Sequence, residues 1–285
     1  MSLHRRGAFD EARKGYQEIL ALWPNHAGAH HFLGVLAYQQ GEHAKALALF
    51  DRAIAVDEKQ AAFHANKSLV LHDLKRFDEA LISYDKAILI APDAAEYHCC
   101  RGDVLFDMQR FREALESYQQ AVHLVPDLAI AHLGLGKSCF SLDRWQEALE
   151  HYSQAIRFKP DFVEAHNNKG VVLHKLGRFE EAAINYRRAI ELRGNFAEAY
   201  FNLATAHQEL KCLGEALENF DAAIRIDPQF VLANWNKCWL LLLRGRLREA
   251  WPLYEWRWKR SLAPAYPHHP APLWLGEESI RGKAV

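Results

Sequence analysis

The sequence predicts an all-α protein, an α-solenoid built from a helix–turn–helix unit that recurs every 34 residues. Three series carry this reading. Stepping by 34 from Ala12 meets Ala46, Ala80, Ala114, Ala148, Ala182, Ala216 and Ala250, all alanine. The same step from Tyr16 meets Phe50, Tyr84, Tyr118, Tyr152, Tyr186, Phe220 and Tyr254, all Tyr or Phe. Prolines recur in one register at Pro24, Pro92, Pro126, Pro160 and Pro228, with Glu58 and Gly194 standing in that slot elsewhere. A fixed period of this length marks units that stack because none can bury its apolar face alone.

The spacing inside a unit defines its elements. Ala80, Tyr84 and Ala87 are four and three residues apart and so share one helix face. The alanines allow a second helix to approach closely, and the aromatic ring fills the gap beside them. A further series of mostly small residues, Gly34, Ser68, Gly102, Gly136, Gly170, Ala204 and Cys238, marks the packing face of the preceding helix. Proline cannot continue the helical ladder, so Pro92 marks the end of the helix that holds Ala87. Each unit is therefore a pair of antiparallel helices. First helices are expected to start near Ala27, Ala61, Ala95, Ala129, Val163, Ala197 and Val231. Second helices are expected near Asp10, Ala44, Asp78, Arg112, Gln146, Glu180, Gly214 and Arg248.

A 34-residue unit with small, Tyr/Phe, Ala and Pro slots resembles the tetratricopeptide repeat family. Gly177-Arg178-Phe179-Glu180-Glu181-Ala182 and Tyr84-Asp85-Lys86-Ala87-Ile88 match its pattern over roughly residues 7 to 260, in one register and without insertion. The slot that is often Trp in the family holds His30, His64, His98, His132 and His166, then Tyr200 and Asn234. The resemblance implies a right-handed superhelix whose first helices line a concave groove, and a chain that binds a protein or extended peptide without catalysis. Residues 1–260 are thus expected to form a half repeat followed by about seven repeats. The helix near Asp10 is expected to be frayed or capped from outside the chain.

Residues 261–285 read as a proline-rich linker and the start of a following domain. Pro264, Pro267, Pro270 and Pro272 make a stiff, extended stretch. Before it, Leu247, Ala250, Trp251, Tyr254 and Trp258 are expected to share a helical face, with a kink or late start at Pro252. Trp251-Pro252-Leu253-Tyr254-Glu255-Trp256-Arg257-Trp258, Pro272-Leu273-Trp274-Leu275-Gly276-Glu277-Glu278 and Gly282-Lys283 resemble the junction of bacterial proteins in which such an array precedes a glycosyltransferase-like domain. That resemblance implies a second role, the substrate-recognition arm of a larger glycosyltransferase, with a catalytic domain packed against Trp251 to Trp258.

Composition narrows the alternatives. Thirty-five Lys and Arg against 36 Asp and Glu leave a formal charge of −1, so no global field draws the chain to nucleic acid or an anionic membrane. The longest apolar run, Cys238 to Leu243, is far short of the about 20 residues of a membrane span. Five cysteines without a CxxC pair point to reduced thiols and a cytoplasmic setting.

Five patterns that carry chemistry elsewhere are better explained without it, and no cofactor or metal is expected. Gly134-Leu135-Gly136-Lys137-Ser138 lies within a helix and has Ala131 where a phosphate-binding loop needs glycine. The histidines 34 apart belong to different repeats, and helices pack about 8–10 Å apart, so they cannot share one ion. They are read as side chains buried between the two helices of their own repeats. His98-Cys99-Cys100 diverge around their helix, and His26 with His30 lacks further ligands. Basic residues among the tryptophans beyond Arg244 fit packing better than nucleic-acid binding, since Glu249 and Glu255 dilute the charge.

The groove is expected to bind through the slot two residues after the histidine line. The slot holds Phe32, Asn66, Cys100, Gly134, Asn168, Asn202 and Asn236. An Asn side chain both donates and accepts, as a peptide group does. Repeated along a groove it grips an extended backbone, a pattern that resembles the asparagine ladder in the repeat arm of the O-linked N-acetylglucosamine transferases, here interrupted at Cys100 and Gly134. Asp103, Phe106, Lys137, Phe140, Asn167 and His174 occupy neighbouring slots suited to side-chain selectivity. The alternative is that these asparagines bond to adjacent helices across the stack, since buried amides usually find intramolecular partners.

Overall fold

The computed structural model describes residues 9–259. Among the described residues lie fifteen α-helices and no strand. They are α1 (Phe9–Leu22), α2 (Ala27–Gln39), α3 (His43–Val56), α4 (Ala61–Asp73), α5 (Phe77–Ile90), α6 (Ala95–Asp107), α7 (Phe111–Leu124), α8 (Ala129–Ser141), α9 (Trp145–Phe158), α10 (Val163–Lys175), α11 (Phe179–Leu192), α12 (Ala197–Glu209), α13 (Leu213–Ile226), α14 (Val231–Leu243) and α15 (Leu247–Tyr254). The first helices start at the residues the period indicates, and the second helices start one residue earlier. The chain divides into two compact units, Met1–Phe158 and Lys159–Val285. In the first, α1 packs on α2, and the pairs α2–α3, α4–α5, α6–α7 and α8–α9 stack, each second helix also meeting the next first helix. In the second, α10–α11, α12–α13 and α14–α15 stack in the same manner.

Each pair closes on one contact. A Cβ built on Gly34 would lie 2.7 Å from the Phe50 ring, and one on Gly102 would lie 2.7 Å from Tyr118. Gly136 and Gly170 meet Tyr152 and Tyr186 at 2.5 Å in the same way. The small residue is there because the ring of its own second helix fills the space a side chain would take. Ser68 occupies this slot by burying its hydroxyl in bonds to the carbonyls of His64 (2.9 Å) and Ala80 (3.1 Å). Cys238 does so with a thiol that donates to Ala250 (3.3 Å). The alanine series from Ala46 to Ala250 is wholly buried.

The turns repeat as faithfully as the helices. Between first and second helix one residue adopts positive φ, and it recurs every 34 residues: Gly41, Lys75, Gln109, Asp143, Gly177, Lys211 and Gly245. The next N–H reaches back five residues, as in Arg76 to Leu71 (2.8 Å) and Arg110 to Leu105 (2.9 Å), which satisfies carbonyls at the helix end. That Arg then grips the Glu three residues on through both guanidinium arms, in Arg76–Glu79, Arg110–Glu113 and Arg178–Glu181. Glu42 and Lys45 make the pair with charges exchanged.

The histidine line fastens the other turn. The Nε2–H of His30, His98, His132 and His166 donates to the carbonyl of Pro24, Pro92, Pro126 and Pro160 at 2.8–3.0 Å, and that of His64 to Glu58 at 3.0 Å. Asn234 makes the equivalent bond to Pro228 (3.3 Å). Besides filling space between paired helices, each ring ties its own helix to the incoming turn. His64, His132 and His166 are buried as expected, but His98 is half-buried, because it borders an open cleft lined by Asp85, Arg101 and Gln120.

The last helix also differs from expectation. α15 starts on register and accommodates Pro252. It then tightens into a short 3₁₀ helix at Glu255–Lys259, so Trp251, Tyr254 and Trp258 do not lie on one continuous α-helical face. Arg257 stacks on the rings of Tyr254 (4.2 Å) and Trp258 (4.4 Å). The proline-rich segment and the rest of the junction string lie outside the described residues.

Four of the seven left-handed turn residues carry a side chain. A non-glycine residue there costs about 1–2 kcal/mol, against roughly 0.5–1 kcal/mol of extra chain entropy for glycine. Replacing Gln109 by Gly, as at Gly41 and Gly177, should raise stability by about 0.5–1 kcal/mol. A urea unfolding midpoint that stays put or falls would show that the turn is unstrained.

Candidate functional site

The residues picked out as a groove lie on the first helices, and their hydrogen bonds follow a rule. Asn66 on α4 donates its side-chain N–H to Nε2 of His31 on α2 (2.7 Å). Asn202 on α12 donates to Oδ1 of Asn167 on α10 (3.0 Å), and Asn167 in turn donates to Glu198 (3.4 Å). The Asn66–His31 and Asn202–Asn167 bonds each span 35 residues, one more than the period, so the acceptor comes from the residue just after the histidine line in the preceding repeat. Thirty-five residues before Asn236 stands Phe201, and thirty-five before Asn168 stands Leu133. Neither side chain has a polar atom. Asn168 and Asn236 are half-buried and have no hydrogen-bond partner among the described residues.

A second row lies one turn further along. In the first unit the Tyr118 hydroxyl donates to Asp103 (2.6 Å), and Lys137 sits 4.3 Å above the Phe106 ring. The structure thus brings Asp103, Phe106 and Lys137 together. Phe140 is half-buried one turn beyond Lys137 on α8. Burial raises the Asp103 pKa, opposed by the Tyr118 hydrogen bond and then by the Lys137 charge. The same tyrosine explains one break in the asparagine series: its ring lies where a Cβ on Gly134 would be.

A third row repeats the 35-residue rule. Tyr38 donates to Asp73 (2.6 Å), and His72 pairs with Asp107 (2.8 Å). His174 stands in this row, edge-on to Phe179 at 5.0 Å, with a buried Nε2 that has no hydrogen-bond partner. Burial lowers its pKa, against the pull of the Glu209 carboxylate.

The 34-residue search passed over His31 and Glu198, and it read Tyr118 only as a core ring. Each acts across a register offset, and a search at a step of 35 would have paired His31 with Asn66. Among the described residues no helix is long and apolar enough to cross a membrane.

Models of the tetratricopeptide repeat match residues 1–59 and 197–230, and a TPR repeat model matches 69–109, 102–143, 136–177 and 172–211. The chain belongs to the tetratricopeptide repeat family. Among solved structures it is similar to YrrB, titled a TPR protein with an unusual peptide-binding site, at 25% identity and a TM-score of 0.53 over 65% of this chain and 95% of that one. Yeast Tom70 shares its fold at 19% identity and a TM-score of 0.60, over 90% of this chain and 56% of that one. So does Cut9 in its Cut9–Hcn1 complex, at 17% identity and a TM-score of 0.71, over 84% of this chain but only 47% of that one. No curated protein matches the chain.

The burial of His31, the acceptor of the Asn66 bond, makes this part of the repeat stack sensitive to acid. Burial among Phe32, Phe50 and Phe63 depresses the His31 pKa to about 4. The unfolded chain takes up this proton near pH 6.5, whereas the folded chain resists it until about 4. Stability from neutral His31 is therefore complete above pH 6.5 and drains away as pH falls toward 4. Between pH 7 and 5 the loss is on the order of 2 kcal/mol. His31→Asn places at this register the residue found at Asn167, keeps an acceptor for Asn66 and removes the titration. Urea midpoints at the two pH values should differ less in this variant than in the parent; equal differences would contradict the assignment.

Proposed function

We propose that the chain is a scaffold that holds a protein or extended peptide along its first helices and performs no chemistry itself. The observation that carries this reading is the state of Asn168 and Asn236. Each is a half-buried amide on a first helix and has no hydrogen-bond partner among the described residues. Neither amide is committed to a protein partner, so both are available to bond a ligand. An extended main chain offers both the donor and the acceptor they need. Asn66, Asn167 and Asn202 then hold neighbouring helices in place, while Asp103, Phe106, Lys137, Phe140 and His174 supply side-chain contacts. The peptide-binding site named for the similar protein YrrB supports the same reading.

A second reading, the recognition arm of a glycosyltransferase, draws support from the exposed rings of Trp239 and Trp251 near the end of the described residues and from the junction string. It requires a nucleotide-sugar-binding domain encoded beyond Val285, which sequencing the native reading frame would reveal; a stop codon there removes it.

Peptides selected from a random library on the immobilised chain test the scaffold reading. Asn168→Ala and Asn236→Ala should each weaken binding roughly 2- to 10-fold with the fold intact. Asn202→Ala should instead lower thermal stability, since Asn167 loses a partner. Binders indifferent to both Asn168→Ala and Asn236→Ala would contradict it.

A further inference from the structure

One stretch of the first-helix surface changes chemistry without changing register. On α12 the stripe is Glu198, Asn202, Thr205 and Glu209, and it is engaged with α10: Asn167 bonds both Glu198 and Asn202, and Glu209 acts on His174. Thirty-four residues on, α14 carries Leu232, Asn236, Trp239 and Leu243. These follow one another at four, three and four residues and so form one helix face. Leu232, Trp239 and Leu243 are 44%, 47% and 72% exposed. Phe201 on α12, which register places opposite Asn236, is packed on Phe230 (5.1 Å) and offers no polar atom. The neighbouring cation, Lys237, is paired with Asp221.

We propose that this stripe takes an uncharged, extended peptide segment bearing one large apolar side chain. The inference rests on the scaffold reading and names its occupant in the last described repeat. The charge balance selects the segment: a charged side chain placed here would be desolvated with no counter-ion on the stripe, since both carboxylates of the α12 register are replaced by leucine. The amide selects its conformation. A helical partner has already spent its main-chain donors and acceptors on itself, whereas an extended one presents both to Asn236. Trp239 and Leu232 flank that amide and cover the apolar side chain.

The test uses the whole chain and acetylated, amidated peptides Gly-Ser-Pro-Ala-X-Ala-Pro-Ser-Gly, with X as Leu, Trp, Glu or Lys, followed by fluorescence anisotropy. The Leu and Trp peptides should bind about tenfold more tightly than the Glu and Lys peptides. Trp239→Ala should erase that preference while circular dichroism shows an unchanged fold. Leu243→Lys, at a position too exposed to disturb folding, should turn the preference toward Glu. Suppose library-selected peptides bind through Asn168 and Asn236, yet this series shows no apolar preference or Trp239→Ala leaves it in place. The inference is then overturned and the scaffold reading stands. If neither peptide set binds, the scaffold reading fails and takes the inference with it. Concentration-dependent dimers abolished by Leu243→Lys would put a second copy of the chain on the stripe and also overturn it.

Discussion

The contact between a side chain of minimal size and the edge of a buried aromatic ring governs this fold. At Gly34, Gly102, Gly136 and Gly170 the ring from the second helix stands within 2.5–2.7 Å of where a Cβ would be. Glycine is a poor helix former, costing about 1 kcal/mol relative to alanine in a helix interior. These glycines sit in the middle of their helices, so close approach must return more than that propensity loss. The approach also places the fully buried alanines against their neighbours and sets the spacing at which first helices lie side by side. Three of the seven slots carry a Cβ: Ala204 packs fully buried in one cluster with Phe220, and the Ser68 hydroxyl and the Cys238 thiol each find a backbone carbonyl across the pair.

That spacing decides what the polar residues of the first helices can do. Helices held close enough for Asn66 to reach His31, and Asn202 to reach Asn167, turn those groove residues into structural links. Within the second unit, the same geometry applied to Asn236 leaves its amide at a register that has only Phe201. On the scaffold reading proposed above, binding and stability are alternative uses of one slot. Tyr118 shows the overlap: it fills the space above Gly102, displaces a side chain at Gly134 and fixes the Asp103 carboxylate beside the Lys137 charge.

Much of the fold was legible in the period, because the features that build a repeat are local and recur in one register. Ala80, Tyr84 and Pro92 lie on one hairpin, so their spacing reports its geometry directly, and the first helices begin at the residues the spacing indicates. The candidate site was legible only in part. Asn66 and Asn202 look like Asn168 and Asn236 in their own repeats; only a partner 35 residues away separates them, and a step of 34 does not see it. The histidine line was legible as a repeat feature but not as a turn fastener, because its acceptor is a backbone carbonyl that any residue supplies. The left-handed turn was equally hidden at Lys75, Gln109, Asp143 and Lys211, where tertiary packing holds side-chain-bearing residues in a conformation that favours glycine. The division into two compact units has no signal in the repeat, which runs through it unbroken.

The most direct test of the ring contact compares two glycines under one substitution. Gly15 on α1 and Gly102 on α6 are both helical, but a Cβ on Gly15 would meet nothing within 4 Å, whereas one on Gly102 would press on Tyr118 at 2.7 Å. Helix propensity alone predicts that alanine stabilises both by about 1 kcal/mol. Equilibrium unfolding should show Gly15→Ala stabilised by about that amount and Gly102→Ala destabilised by about 1–3 kcal/mol through overpacking. A Gly102→Ala variant as stabilised as Gly15→Ala would contradict the claim that the small-residue–ring contact organises the repeat.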